Sequence, residues 1–231
     1  MSAAASAPKA FVSWSSGKDS AFALYEAQRR GLAQIVGVLT TVNEAYGRVA
    51  MHGVREELLD LQVAALGVPA LKVMLPNPCS NEAYEERMAR ACEQLRAQGV
   101  AHVVFGDLFL EDVRAYRERQ LAAAGFSGIF PLWQRDTHAL AREMIASGLT
   151  AHLVCIDPRR LGREFAGRRF DARLLDELPA GVDPCGENGE FHTVVSAGPM
   201  FSAPIGVRVG AVVERDGFVF ADVAPAGAGC G

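Results

Sequence analysis

Phe11-Val12-Ser13-Trp14-Ser15-Ser16-Gly17-Lys18-Asp19-Ser20 is the stretch whose reading decides the fold. An apolar run over residues 10–14 breaks off at small and polar residues, and an alanine- and leucine-rich segment over 21–30 follows at once, stopped by Gly31. The pattern predicts a strand, a tight turn and a helix start. A helix N-terminus leaves backbone N–H groups without intrahelical partners, and the helix dipole adds positive potential at the same point. The expected guest of such a turn is an anion, most often phosphate. Gly17 allows close backbone approach, Ser15, Ser16 and Ser20 can donate hydrogen bonds, and Lys18 adds a point charge. The plainer alternative is a capped helix with a lysine in its first turn, an end where a cation is unfavourable. A Walker A loop is excluded, because it needs four residues between its first glycine and the Gly-Lys pair.

Outward from this turn, 34–41 reads as a second buried strand and 42–53 as a polar loop. Residues 54–66 have helical spacing at Val54, Leu58, Leu61 and Ala65, and 70–75 is a third strand. Ser80 is placed as the N-cap of a helix to Gln98, and 101–105 is a fourth strand ending at Gly106-Asp107. The alternation predicts an α/β fold with a parallel, Rossmann-like sheet covered by helices on both faces. Ligands of such sheets bind beyond the carboxyl ends of the strands. That rim gathers 15–20, the loop with His52, and Gly106-Asp107. A charged helix over 111–124, an extended piece over 128–133 and a helix over 137–147, capped by Asp136 and closed by Gly148, come next. A strand over 151–156, a short helix near 172–178, a strand over 191–196 and a hairpin over 208–223 turning at Asp216-Gly217 complete the chain. A composition change near Pro131 divides it into a nucleotide-binding part, 10–130, and a smaller C-terminal α+β substrate part, 131–223. The ends, 1–9 and 224–231, are expected to be flexible.

The chain has 231 residues, 50% of them hydrophobic and 22% charged, which suits one large or two small folded domains. With net charge −4 and only Lys9, Lys18 and Lys72 as lysines, there is no basic run, so DNA is not an expected partner. No apolar run approaches the ~20 residues that cross a bilayer, and the first residues lack a signal-peptide pattern. Cysteines at 79, 92, 155, 185 and 230 are far apart, which suits a reducing cytoplasm and gives no zinc pattern.

A second concentration of chemistry is Asp183-Pro184-Cys185-Gly186-Glu187-Asn188-Gly189-Glu190-Phe191-His192-Thr193. Taken alone it is a polar turn entering a strand. Taken with the first turn, it carries a resemblance. Residues 15–20 resemble the Ser-Gly-Gly-Lys-Asp-Ser signature of the PP-loop ATP pyrophosphatases, with Ser16 where the first glycine usually stands. Residues 185–193 resemble the Gly-Glu-Gly-Gly-Glu-Tyr-Glu-Thr motif of the diphthine–ammonia ligase family, a branch of those enzymes. Asn188 replaces a glycine there, and Phe191-His192 replace Tyr-Glu. Gly106-Asp107, residues 116–119, Pro131-Leu132-Trp133, residues 142–145, Leu161-Gly162 and residues 198–201 match between and beyond the motifs, so the resemblance covers about residues 10–205.

The resemblance implies an ATP-dependent ligase that activates a carboxylate as an acyl-adenylate, releases pyrophosphate and passes the acyl group to ammonia. It implies ATP and Mg²⁺, with Ser15, Ser16, Gly17, Lys18, Asp19, Ser20, Gly106 and Asp107 on the nucleotide and Asp19 with Asp107 on the metal. Leu39 and Thr40 would flank adenine, with Met51 and His52 nearby. Gly186, Glu187, Asn188, Gly189 and Glu190 would orient the acceptor or ammonia, with Lys18, Asp19, Glu187 and Glu190 as the catalytic set. Asp19 as a helix cap, His52 as a surface histidine and Cys185 as a small packing residue are the plainer readings. The carboxylate acceptor, a small molecule or a modified protein residue, is not named by the residues, and a homodimer is left open. Rivals are a tRNA-modifying PP-loop enzyme, which commonly needs paired cysteines and a basic surface, and a non-catalytic nucleotide sensor.

Overall fold

The computed structural model describes residues 7–50 and 52–227. The chain runs β1 (Lys9–Ser13), α1 (Lys18–Arg29), β2 (Gln34–Asn43), β3 (Arg48–Val49), α2 (Glu56–Leu66), β4 (Ala70–Leu75), α3 (Asn81–Ala97), β5 (His102–Val104), α4 (Glu111–Ala123) and β6 (Ser127–Ile129). These are followed by α5 (Thr137–Ala146), β7 (Thr150–Ile156), a 3₁₀ turn (Arg163–Phe165), α6 (Ala172–Glu177), β8 (Phe191–Ala197), β9 (Val207–Arg215) and β10 (Phe218–Pro225).

β4, β2, β1, β5 and β6 pair side by side, all parallel. The chain enters this sheet at its centre, steps outward on one side through β2 and β4, and returns to the other side through β5 and β6. The order therefore reverses between β1 and β5, and the crevice at such a reversal is where open α/β sheets bind ligands. β1 pairs with β2 only as far as Leu39, whereas β4 continues along β2 to Asn43. The antiparallel pairing of β3 to Val42 and Asn43 must then occupy the edge that β1 has left. This folds the loop carrying His52 over the carboxyl end of β1.

β8, β7, β10 and β9 form a separate antiparallel sheet. One buried apolar cluster reaches from Trp14, Phe22 and Leu58 under the first sheet to Leu132, Leu140, Phe170, Phe191 and Val195 under the second. Local signals set the element ends. Ser80 Oγ accepts the Ala83 N–H at 3.2 Å and Asp136 Oδ1 accepts the Ala139 N–H at 2.7 Å, as capping predicts. Asp216 and Gly217 turn the β9–β10 hairpin with φ of 53° and 79°.

Several expectations are corrected. Lys9 pairs with Gln34 in β1, and Ala224 and Pro225 pair with Arg208 and Val207, so these residues belong to strands rather than to flexible ends. Residues 1–6 and 228–231 lie outside the described residues. α1 begins at Lys18, not at 21, because Gly17 O already accepts the Ala21 N–H at 3.1 Å. The spacing is right for Val54 and Leu58, which are buried, but α2 also buries Leu59 and Gln62 and leaves Leu61 41% exposed.

Candidate active site

The site grows from the end of β1. Trp14 gives its backbone N–H to Leu39 O at 2.7 Å and its indole N–H to Gln62 Oε1 at 3.0 Å. Gln62, fully buried, sends its amide nitrogen to Ser16 O at 3.1 Å and Val195 O at 2.7 Å. Val195 N–H also reaches Ser16 O, at 2.9 Å. One glutamine thus fastens β1, the turn and β8 together. Sequence reasoning missed it; the available signal was an amide inside the apolar face of α2, where a buried polar group needs partners.

Ser16 adopts φ 68°, the left-handed region, which explains why the resembling signature has glycine there. Its hydroxyl is buried without a partner. The other two serines knit the turn to itself. Ser15 Oγ lies 3.1 Å from Ser20 Oγ and accepts the Gly17 N–H at 3.3 Å, while Ser20 Oγ donates to Gly17 O at 3.0 Å. Gly106 has to be glycine for a different reason. A Cβ there would meet the Asp19 carbonyl carbon at 2.6 Å and the Ser20 nitrogen at 2.8 Å, so the end of β5 presses directly on the first turn of α1.

Lys18 is buried, its Nζ held by both Asp19 oxygens at 2.8 and 3.0 Å and by the Cys185 carbonyl. The ammonium also lies 5.3 Å from the Phe191 ring centre. Burial alone would lower its pKa, but Asp19, with Cys185 and Glu187, more than offsets this and holds it above the ordinary lysine value. Its backbone N–H, one of the donors expected to face a phosphate, goes to Thr193 Oγ1 at 3.0 Å. Thr193 and the Cys185 carbonyl are functional contacts that sequence reasoning did not assign, because only the tertiary fold brings them to the turn.

Three expected carboxylates converge. Asp19 flanks Lys18; Asp107 pairs with Arg117 at 2.9 Å; Glu187 accepts the Leu108 N–H at 2.8 Å. Burial pushes Asp107 above the carboxylate range, with Arg117 opposing. Burial pushes Glu187 up to about 7, opposed by the Leu108 N–H and helped by Asp19. A carboxylate poised near neutrality can exchange a proton with a bound amine.

Glu190 is placed differently from expectation. It is fully buried, and its Oε1 accepts the Asp183 N–H and the Asn188 amide, both at 3.1 Å, so it closes the bend onto itself. Asp183 Oδ1 accepts the Cys185 N–H at 2.8 Å from within the same bend, where Gly186 turns with φ 70° and Gly189 with φ 83°. Burial raises the Cys185 thiol, so it is no ready nucleophile.

On β2, the Leu39 carbonyl is already taken by Trp14, and Thr40 is buried with Oγ1 unpartnered. Met51 lies outside the described residues. His52 approaches the turn instead: a Cβ on Gly17 would stand 3.2 Å from its Cε1. Its ring packs at a tilt against that of His192, with centroids 4.5 Å apart.

Comparison with known proteins covers both the turn (the cradle) and the bend. The N-terminal domain model of diphthamide synthase matches residues 8–126, and its C-terminal domain model matches residues 136–220. The chain belongs to the diphthamide synthase family. A diphthine–ammonia ligase of Danio rerio is 25% identical over 233 residues, covering 90% of each chain. The Homo sapiens diphthine–ammonia ligase is 36% identical over 98 residues, 40% of this chain and 37% of that one. That of Schizosaccharomyces pombe is 34% identical over 96 residues, 39% and 16%. Within the diphthamide synthase match, the N-terminal domain contains the cradle, Gly106 and Asp107, and the C-terminal domain contains the whole bend from Asp183 to Thr193.

Proposed function

We propose that this chain is an ATP-dependent, AMP-forming carboxylate–ammonia ligase, acting in the manner of the diphthine–ammonia ligases it resembles. The observation that supports it most is the seating of the bend on the cradle, Thr193 Oγ1 on the Lys18 N–H and Glu187 on the Leu108 N–H. An acceptor held by the bend would face the α-phosphate of a nucleotide held by the turn.

In this reading, residues 15–20 grip the β,γ-pyrophosphate, and charge building there is met by fixed donors and the Lys18 ammonium. Thr40 Oγ1 is a buried hydrogen-bonding group available to the base. Among the described residues no three His, Cys, Asp or Glu side chains could hold a metal by themselves. The carboxylates that would hold Mg²⁺ are Asp19, now on the Lys18 ammonium, and Asp107, beside Arg117 with Oδ2 buried and lacking a hydrogen bond. Such an ion commonly takes one or two carboxylates with phosphate oxygens and water. The ion supplies charge neutralisation to the phosphates. Glu187 takes the proton of an ammonium ion, so that ammonia attacks the activated acyl carbon, and Asn188 lies beside it at the mouth of the bend. The division of labour places the ATP-binding part at 10–130 and the acceptor part at 131–223.

The test is a product analysis. Purified protein is incubated with ATP, Mg²⁺, ammonium and candidate acids, diphthine-bearing protein among them. AMP and pyrophosphate in equal amounts, dependent on the acid, are expected; ADP and phosphate would overturn the AMP-forming reading, and no turnover with any acid would overturn it in favour of a nucleotide sensor.

A further inference from the structure

We propose that His52 and His192, lying against the turn at residues 15–20, add to it the groups that retain the pyrophosphate leaving group, which binds there with uptake of a proton. This rests on the nucleotide reading above and goes beyond it, since His192 has no part in that reading.

His52 comes from the loop that β3 folds over the end of β1, and His192 is the β8 residue just before Thr193, whose hydroxyl holds the Lys18 N–H. The two rings pack against each other with centroids 4.5 Å apart and planes tilted by 38°. His52 rests on Gly17, the cradle glycine. Its Nδ1 faces the Thr193 carbonyl oxygen at 3.5 Å. A carbonyl oxygen only accepts, so Nδ1 carries the hydrogen of the neutral ring and Nε2 is left as a bare acceptor. A phosphate oxygen is an acceptor too. Contact between them becomes a hydrogen bond only when the ring gains a proton.

The groups around the pair set when that happens. From α1 the Lys18 ammonium, held by Asp19 and the Cys185 carbonyl, acts on both rings through its charge, and from β8 the Thr193 carbonyl faces His52. Burial first, then His192 and Lys18, hold His52 down to about 3; burial and Lys18 hold His192 to about 4. Both rings are therefore neutral near pH 7, and neither adds to the repulsion around Lys18. A polyanion reverses the field and favours the imidazolium.

The experiment is calorimetric titration with magnesium pyrophosphate at pH 7, in two buffers of different ionisation enthalpy, on the parent, His52→Gln and His192→Gln, each checked for fold by circular dichroism. The parent is expected to take up protons on binding beyond those the pyrophosphate itself exchanges. Each variant should lose most of that uptake and bind about tenfold more weakly or worse. Parent-like affinity and uptake in either folded variant would overturn the proposal and leave the pair as packing. Because His192 lies on a strand and His52 on a loop, one variant suffices if the other does not fold. A parent chain that binds no pyrophosphate at all would overturn the nucleotide reading itself, a distinct outcome.

Discussion

The turn at residues 15–20 and the bend at residues 183–193 present polar groups to the same rim, and they are built by opposite means. The turn is small and self-contained: serine hydroxyls bond its own backbone, and Gln62 anchors it from below. The bend is larger and is held by carboxylates turned inward, Asp183 and Glu190 each accepting N–H groups from within the same ten or so residues. The turn offers donors; the bend offers acceptors. Two of those acceptors, Thr193 Oγ1 and the Cys185 carbonyl, occupy donors of Lys18. The difference teaches that neither region is a complete site. In the proposed reaction the turn would hold phosphate, while the bend would shape that place and add the carboxylate, Glu187, that an amine-transferring step needs.

The comparison can be broken most severely at the point where β5 presses on the turn. Gly106→Ala puts a Cβ 2.6 Å from the Asp19 backbone, which no side-chain rotation relieves. A loss of about 3 kcal/mol or more in denaturant unfolding, with loss of AMP formation, is expected; unchanged stability would mean the turn does not sit where it is described.

Lys18→Ala tests the turn's half of the chemistry. Removing a fixed cation aimed at developing charge should lower AMP formation by about 10²–10³-fold or more in initial-rate assays, while leaving a folded protein. Glu187→Gln tests the bend's half. With the Glu187 carboxyl pushed up to about 7, it is protonated below that pH and unable to accept a proton, so activity should rise as pH climbs through about 7. In Glu187→Gln that inflection should vanish and the rate fall by about 10²–10⁴-fold.

Much of this architecture was legible in the chain. The strand, turn and helix around Gly17 and the caps at Ser80 and Asp136 are written in residues adjacent in sequence, where hydrophobic runs and short polar side chains act locally. What was not legible is what depends on distant partners. Gln62 stands out as an amide on an apolar face, but its partners, the Ser16 and Val195 carbonyls, are distant in sequence. Leu61 looks buried by spacing, yet burial followed Leu59 and Gln62 instead. Glu190 looks as catalytic as Glu187; which way each carboxylate turns is decided by the Asp183 and Leu108 N–H groups, invisible in one dimension.

Two smaller changes sharpen the same comparison. Thr193→Val keeps the shape of the bend and leaves the Lys18 N–H unpaired, at a cost of about 1–2 kcal/mol in thermal or urea unfolding. Ser16→Gly relieves the left-handed conformation and should change stability by no more than about 1 kcal/mol, towards stabilisation, with turnover intact.

The central claim is that turn and bend serve one acyl-adenylate reaction. The most direct measurement uses the accepted acid labelled with ¹⁸O in its carboxylate, with the AMP analysed by mass spectrometry after turnover with ATP and ammonium. Attack of the carboxylate on the α-phosphate predicts one ¹⁸O in each AMP. Unlabelled AMP, or label carried into inorganic phosphate beside ADP, would contradict it.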